Sequence, residues 1–212
     1  KNEFKNRDDL SNIINRISFP IYETKYKKPS TLGLGYGSIK KEPNVKYIND
    51  KNVEPFFIKS NLLYGYRVAC KAIKNKNEVI ITEGYFDVIS MHQAGFNNTI
   101  GTMTNKIKEN QLNKLSKITD TITLFYDGDS PGINSTLKQI PKLYRFGFKV
   151  NVIIINGYDP DDFCKKYNYN HKQIKKELKL NKEVGIQKLI NLETNEFQRY
   201  VFSKRTEIIN KI

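Results

Sequence analysis

The sequence predicts an α/β fold: a parallel sheet flanked by helices, preceded by a small basic α+β subdomain and followed by a C-terminal helical subdomain. Three observations predict it. From Glu78 onward, short apolar runs alternate with stretches of helical spacing. Two of those runs end in a carboxylate followed by glycine, Glu83-Gly84 and Asp127-Gly128. Twice, at Ser130-Pro131 and Asp159-Pro160, a capping residue precedes a proline suited to the first helical position. Strands separated by helices of this length imply parallel pairing through right-handed crossovers.

Along the chain, residues 1–12 are polar and charged and give no firm element. Asn15 to Ile21 mixes apolar and polar residues as a strand does. Tyr22 to Ser30 is a basic turn segment. Gly33, Gly35 and Gly37 alternate within Thr31 to Ile39. Their spacing is wrong for a dinucleotide fingerprint, and no helix pattern follows. They suggest a strand that another backbone approaches closely. Lys40 to Ser60 is loop-rich. Asn61 to Lys74 carries apolar residues at 62, 63, 66, 69 and 73, an amphipathic helix. Then come strand 78–83 and helix 85–94, strand 98–102 and helix 106–118, strand 121–126 and a helix from Ser130, and strand 149–155 and a helix after Asp159. Gly147 marks the end of the third of these helices. From about 170 the pattern is charged and helical to the end, with Leu178, Ile186, Leu189, Ile190, Phe197, Val201, Phe202 and Ile208 as candidate buried positions. The expected divisions are 1–76 (basic N-terminal subdomain), 77–168 (sheet domain) and 169–212 (helical segment).

The 212 residues carry a net charge of +14, which suits a polyanionic partner. No apolar run approaches a membrane span. The start at Lys1 and the absence of an apolar leader suggest a piece of a longer, soluble, non-secreted chain. Cys70 and Cys164 are isolated, so the pattern holds neither a zinc site nor a disulfide framework.

In open α/β sheets, chemistry gathers at the carboxyl ends of the strands. Glu83 and Asp127 each end a strand, and Asp129 follows in the loop. Ionised carboxylates brought together there repel unless a cation sits among them. Oxygen ligands alone, without a histidine pair, suit Mg²⁺ or Mn²⁺. Asp87, one helical turn after Glu83, points back to this edge, and Asp159 and Asp161 follow the last strand. An isolated Asp-Gly-Asp would be read as a turn, and Asp159-Pro160 as a helix cap. A calcium loop is rejected because Pro131 and Lys138 fall where its fifth and twelfth ligands belong. His92 and His171 are expected to be packed or surface residues.

The combination is more specific than its parts. Glu-Gly at one strand end and Asp-Gly-Asp at a later one resemble the Toprim fold of primases, topoisomerases, OLD-type nucleases and RecR-type proteins. Glu83-Gly-Tyr-Phe-Asp-Val-Ile-Ser-Met-His-Gln-Ala-Gly95, Asp127-Gly-Asp-Ser-Pro-Gly132 and Gly157-Tyr-Asp-Pro-Asp-Asp162 resemble bacterial (DnaG-type) primases. So do Asn15-Arg-Ile-Ser-Phe-Pro-Ile21, Lys46-Tyr-Ile-Asn49 and Phe57-Ile-Lys-Ser-Asn-Leu-Leu-Tyr-Gly65 upstream. The resemblance covers about residues 12–167. It implies an RNA polymerase domain that copies single-stranded DNA into short primers from NTPs. By the same resemblance, Glu83, Asp127 and Asp129 hold the metal and are catalytic, and Asp87, Asp159 and Asp161 complete the acidic cleft. Arg16, Lys46, Asn49 and Lys59 handle template or nucleotide phosphates. A replicative helicase would be met through a region not present here, and the compartment would be bacterial cytoplasm or an organellar matrix or stroma.

The sequence also departs from the family. Basic residues usual there are replaced at Gly37 or Ser38, at Lys59-Ser60-Asn61 and at Ile133, and its Gly-Thr loop reads Thr104-Asn105. Lys40, Lys41 and Lys106 are candidate replacements. A Toprim nuclease and a non-catalytic nucleic-acid- or nucleotide-binding module of the same fold are the alternative expectations.

Overall fold

The computed structural model describes residues 14–22, 31–39, 47–49, 58–104 and 106–191. Two sheets lie among them. The first is antiparallel, in the order β1 (Arg16–Tyr22), β2 (Thr31–Ser38), β3 (Tyr47–Asn49). The second has the order β5 (Thr99–Gly101), β4 (Val79–Thr82), β6 (Thr121–Leu124), β7 (Lys149–Ile153), β8 (Lys182–Val184). In it β5, β4, β6 and β7 are parallel and β8 is antiparallel to β7. Both faces of this sheet are covered by helices, which is why its strands are runs of apolar residues rather than strict alternations.

The helices are α1 (Tyr66–Lys76), α2 (Tyr85–Gln93), α3 (Glu109–Leu115), α4 (Ser130–Arg145), α5 (Pro160–Lys166) and α6 (His171–Asn181). Successive strand residues face opposite ways, so the core splits in two. On one side Val79, Ile81, Ile122, Leu124, Val150 and Val152 pack with Ala69 and Ile73 of α1, Leu112 and Leu115 of α3, and Ile140 and Leu143 of α4. On the other, Ile80, Phe125 and Ile153 pack with Met91 of α2, Phe163 and Cys164 of α5, and Ile174 and Leu178 of α6. The small sheet joins the large one through aromatic rings. Phe19 of β1 stacks on Tyr85 of α2 with centroids 4.7 Å apart, and Tyr64 meets Tyr85 edge-on at the same separation.

Several expectations change. The glycine-rich strand is β2, but what approaches Gly35 is a ring, not a backbone: a Cβ there would lie 2.4 Å from the Tyr85 hydroxyl oxygen. Helix α1 starts at Tyr66 rather than near Asn61, because Gly65 at φ 76° breaks the helical path. Leu62 and Leu63 are buried all the same, in an irregular segment. Helix α3 starts at Glu109 rather than 106, where Gln111 accepts a hydrogen bond from the Lys108 amide at 2.9 Å. The cap of α4 is Asp129, not Ser130. Residues 182–184, expected to be helical, extend the sheet as β8, while α6 packs into its core. Leu178 is buried and Leu189 partly so, whereas Ile186 and Ile190 are exposed. Phe197, Val201, Phe202 and Ile208 lie outside the described residues.

Candidate metal centre and nucleic-acid interface

The four parallel strands all point their carboxyl ends to one edge, and two backbone clasps tie the loops there together. On one side Thr102 N donates to Thr82 O at 3.1 Å and Met103 N to Glu83 O at 3.1 Å, joining the loops after β5 and β4. On the other, Gly128 N donates to Tyr158 O and Gly157 N to Gly128 O, each at 3.0 Å. These join the loops after β6 and β7. The second clasp requires glycine, since a Cβ on Gly128 would lie 1.8 Å from the Ile155 carbonyl oxygen. Gly132 is required too: its Cβ would lie 2.3 Å from Asp127 O, where the start of α4 presses on the strand end.

Glu83 is half-buried just past β4. Its carboxyl is pushed from an ordinary 4.5 to about 7, first by burial and then by the charges of Asp127 and Asp129. Asp87, in the first turn of α2, is 7% exposed. Its Oδ2 accepts from Gly84 N at 2.8 Å, which favours the carboxylate. Burial outweighs that bond, and with Asp159, Asp127 and Asp161 it lifts Asp87 from 3.8 to about 7. Asp127 is therefore the acid felt by both of these groups.

The remaining acids have partners. Asp129 accepts from Gly132 N at 2.8 Å and Asp159 from Asp162 N at 2.7 Å, each through Oδ1 as a helix cap. Asp161 uses both oxygens: Oδ1 accepts from Ser90 Oγ at 2.6 Å and Oδ2 from Lys165 Nζ at 2.7 Å. It thereby fastens α5 to α2.

These residues fit a hard divalent cation. The donors are all oxygens, and the two carboxyls are raised first by burial and then by neighbouring acids, both of which a cation would offset. Among the described residues no three acid, histidine or cysteine side chains are already gathered as a cage.

Of the expected phosphate-handling residues, Arg16 begins β1, in register with Ser38 of β2. Asn49 stands opposite Gly35 in β3, and Lys59 opens the short 3₁₀ turn Lys59–Asn61. Lys46 lies outside the described residues. The two histidines are packing residues: His92 Nε2 lies 2.8 Å from Thr99 O, and His171 Nδ1 lies 2.8 Å from Ala94 O. Both cysteines are free thiols. No helix among the described residues is long and apolar enough to cross a membrane. Residue reading alone missed Lys138 and Lys142 of α4, which with Lys106 line a groove that includes Pro131, two residues after Asp129. Their four-residue spacing was the available signal.

The raised carboxyls make stability pH-dependent. Between their ordinary values and about 7, Glu83 and Asp87 bind protons in the folded chain that the unfolded chain has released. Stability then falls as pH rises through that window. With EDTA present, the thermal midpoint is expected to be lower at pH 8 than at pH 6. Mn²⁺ should raise it more at pH 8, because it binds the deprotonated acids. Melting curves at both pH values check this, and an equal Mn²⁺ effect at both would contradict it.

Comparison with known proteins agrees with the architecture. Residues 80–164 match a family described as Toprim-like, so the carboxylate-bearing edge belongs to a Toprim-like domain. The chain is 42% identical over 152 residues to the DNA primase of Helicobacter pylori strain J99, covering 71% of this chain and 26% of that protein. It superposes on the crystal structure of the zinc-binding and RNA polymerase domains of Aquifex aeolicus primase with a TM-score of 0.74 and 27% identity, over 89% of this chain and 45% of that one. A DnaG primase catalytic domain bound to single-stranded DNA shares the fold at a TM-score of 0.64 and 23% identity, over 78% of this chain and 53% of that one. The chain is a homologue of the bacterial DNA primases and has the fold of their catalytic core. It spans about a quarter of the length of the curated relatives it matches.

Proposed function

We propose that this chain is the catalytic core of a DNA primase, which makes short RNA primers from NTPs on a single-stranded DNA template. The observation that carries this reading is that Glu83 lies at the carboxyl edge of a primase-like sheet and feels the charges of Asp127 and Asp129 from the next strand end. In the proposed reaction the primer 3′-hydroxyl attacks the α-phosphate of the incoming NTP. The new phosphodiester bond forms as pyrophosphate leaves, and the hydroxyl proton is released.

Glu83, Asp127 and Asp129 would hold Mg²⁺ or Mn²⁺, with Asp87 and Asp159 in support. A bound cation supplies charge neutralisation on the phosphates and makes the hydroxyl more acidic. The chain's own residues set the conditions for this. Burial of Asp87 and Glu83 keeps the acids in a medium where an unneutralised charge is costly. Asp161 contributes rigidity through Ser90 and Lys165. Arg16, Lys46, Asn49 and Lys59 would handle template and nucleotide phosphates, with affinity that falls as salt rises. A replicative helicase would be engaged through parts of the relatives' length beyond this chain, and the protein would work in the compartment that holds the genome it primes.

The test is incorporation of labelled NTPs on single-stranded DNA, with Mg²⁺, with Mn²⁺ and with EDTA. Cation-dependent synthesis of short RNA is expected. Cleavage of the DNA without RNA synthesis would replace this reading with a nuclease.

A further inference from the structure

The loop before α3 and the outer face of α4 enclose a groove of about 490 Å³ lined by Lys106, Ile107, Pro131, Asn134, Ser135, Lys138, Gln139 and Lys142. Three of these residues are lysines and none is acidic. Lys106 and Lys138 are exposed. The wall is held firmly: Gln139 Oε1 accepts from Ile107 N at 2.8 Å, and Lys142 Nζ donates to Ile107 O at 2.9 Å. Lys142 keeps further N–H donors for another acceptor. One end of the groove is Pro131, in the first turn of the helix that Asp129 caps, so it opens beside the carboxylate edge.

The lining chemistry selects the occupant. Asn134, Lys138 and Lys142 repeat every four residues, so they rise along the helix in steps of about 6 Å. That is comparable to the spacing of successive phosphates along an extended single strand. Among the described residues, no aromatic side chain lines the groove to hold a base. A mononucleotide site would be expected to enclose its base in apolar or aromatic surface, whereas a backbone track needs only cations and hydrogen-bond donors in a row.

We propose that this groove is a track for the phosphate backbone of one nucleic-acid strand, running along α4 toward the carboxylates. Lys106, Lys138 and Lys142 contact the phosphates, and Asn134 and Ser135 hydrogen-bond to them. The direction of the track rests on the primase reading; the binding does not.

The test measures binding of a labelled thymidine oligonucleotide to this chain in EDTA across a salt series. For a single strand, each lost phosphate contact makes the slope of log affinity against log salt shallower by about 0.7. The Lys106→Ala/Lys138→Ala variant is expected to bind more weakly, with a slope shallower by about 1.4. Lys106→Arg/Lys138→Arg should keep the parent slope. Lys172→Ala/Lys175→Ala removes the same charge from α6, on the opposite face of the sheet, and should also leave it unchanged. Thermal melts of each variant check folding.

An unchanged slope in the first variant overturns the proposal, as does an equal change in the α6 variant. Loss of inorganic triphosphate binding with oligonucleotide binding intact also overturns it, and assigns the groove to a nucleotide. A shallower slope supports the track even if no RNA synthesis is found. Normal synthesis with an unchanged slope removes the track and leaves the primase reading in place.

Discussion

Asp127→Asn is expected to reduce cation-dependent primer synthesis by about 100-fold or more while leaving the fold intact. Asp127 is the acid felt by both Glu83 and Asp87, so its charge sits at the junction of the whole cluster. The amide keeps the size and removes the anion. Interactions between a cation and the reacting phosphates contribute several kcal/mol to such reactions, and each 1.36 kcal/mol is tenfold in rate. Removing repulsion from Glu83 and Asp87 should also raise the thermal midpoint of the metal-free protein at pH 8, so lost activity and gained stability are expected together. Asp161→Asn is the informative contrast. Both of its oxygens serve Ser90 and Lys165, and an amide oxygen can still accept from Ser90. Its expected loss is about tenfold, the low end for a residue that braces a metal site. Single-turnover incorporation assays with parallel melts check both variants. Asp127→Asn activity above a tenth of the parent's would remove Asp127 from the cation site.

Gly128→Ala is expected to be the most damaging glycine-to-alanine change among the described residues. Its Cβ would lie 1.8 Å from the Ile155 carbonyl oxygen and 2.9 Å from that of Tyr158, and both are backbone atoms with no rotamer to turn away. The two loops must separate, breaking the paired Gly128–Tyr158 and Gly157–Gly128 hydrogen bonds. A cost of about 3 kcal/mol or more follows from overpacking and the lost bonds. In a chain of this size that lowers the thermal midpoint by roughly 6–12 °C. Activity should fall further than stability, because Asp127 and Asp129 flank the displaced residue. Gly157→Ala tests the argument. Gly157 has φ 77° but open space where a Cβ would go. It should cost only the left-handed backbone strain, about 1–2 kcal/mol. Equal midpoints for the two variants would show that the clasp yields easily.

Much of this was legible in the sequence because it is local. Apolar runs such as Val79-Ile80-Ile81 fix strands, and Asp159-Pro160 fixes a helix start. The family motifs carried the Toprim-like, primase-like reading, and the comparisons agree with it. Other features needed a partner distant in sequence. Gly35 is small because of Tyr85, and no pattern within β2 tells a ring from a backbone. Residues 182–184 carry the charge of a helix surface, yet β7 offers them an unpaired edge, and tertiary pairing overrides local propensity. Asp161 resembles Asp159 in sequence, and its pairing with Lys165 is local, but only the packing of α5 on α2 brings Ser90 to its other oxygen.

The sequence by itself determined the strand–helix alternation, the acids at the strand ends and the basic charge, since spacing and residue chemistry are enough for those. Only the tertiary structure decided which acids feel one another, that Asp129 rather than Ser130 caps its helix, that Asp161 braces Ser90, and that Lys106 faces Lys138 and Lys142 across a groove. The physical reason is that burial, repulsion and convergence belong to pairs of residues far apart in the chain. Their energies appear only when the parallel sheet brings its carboxyl ends to one edge.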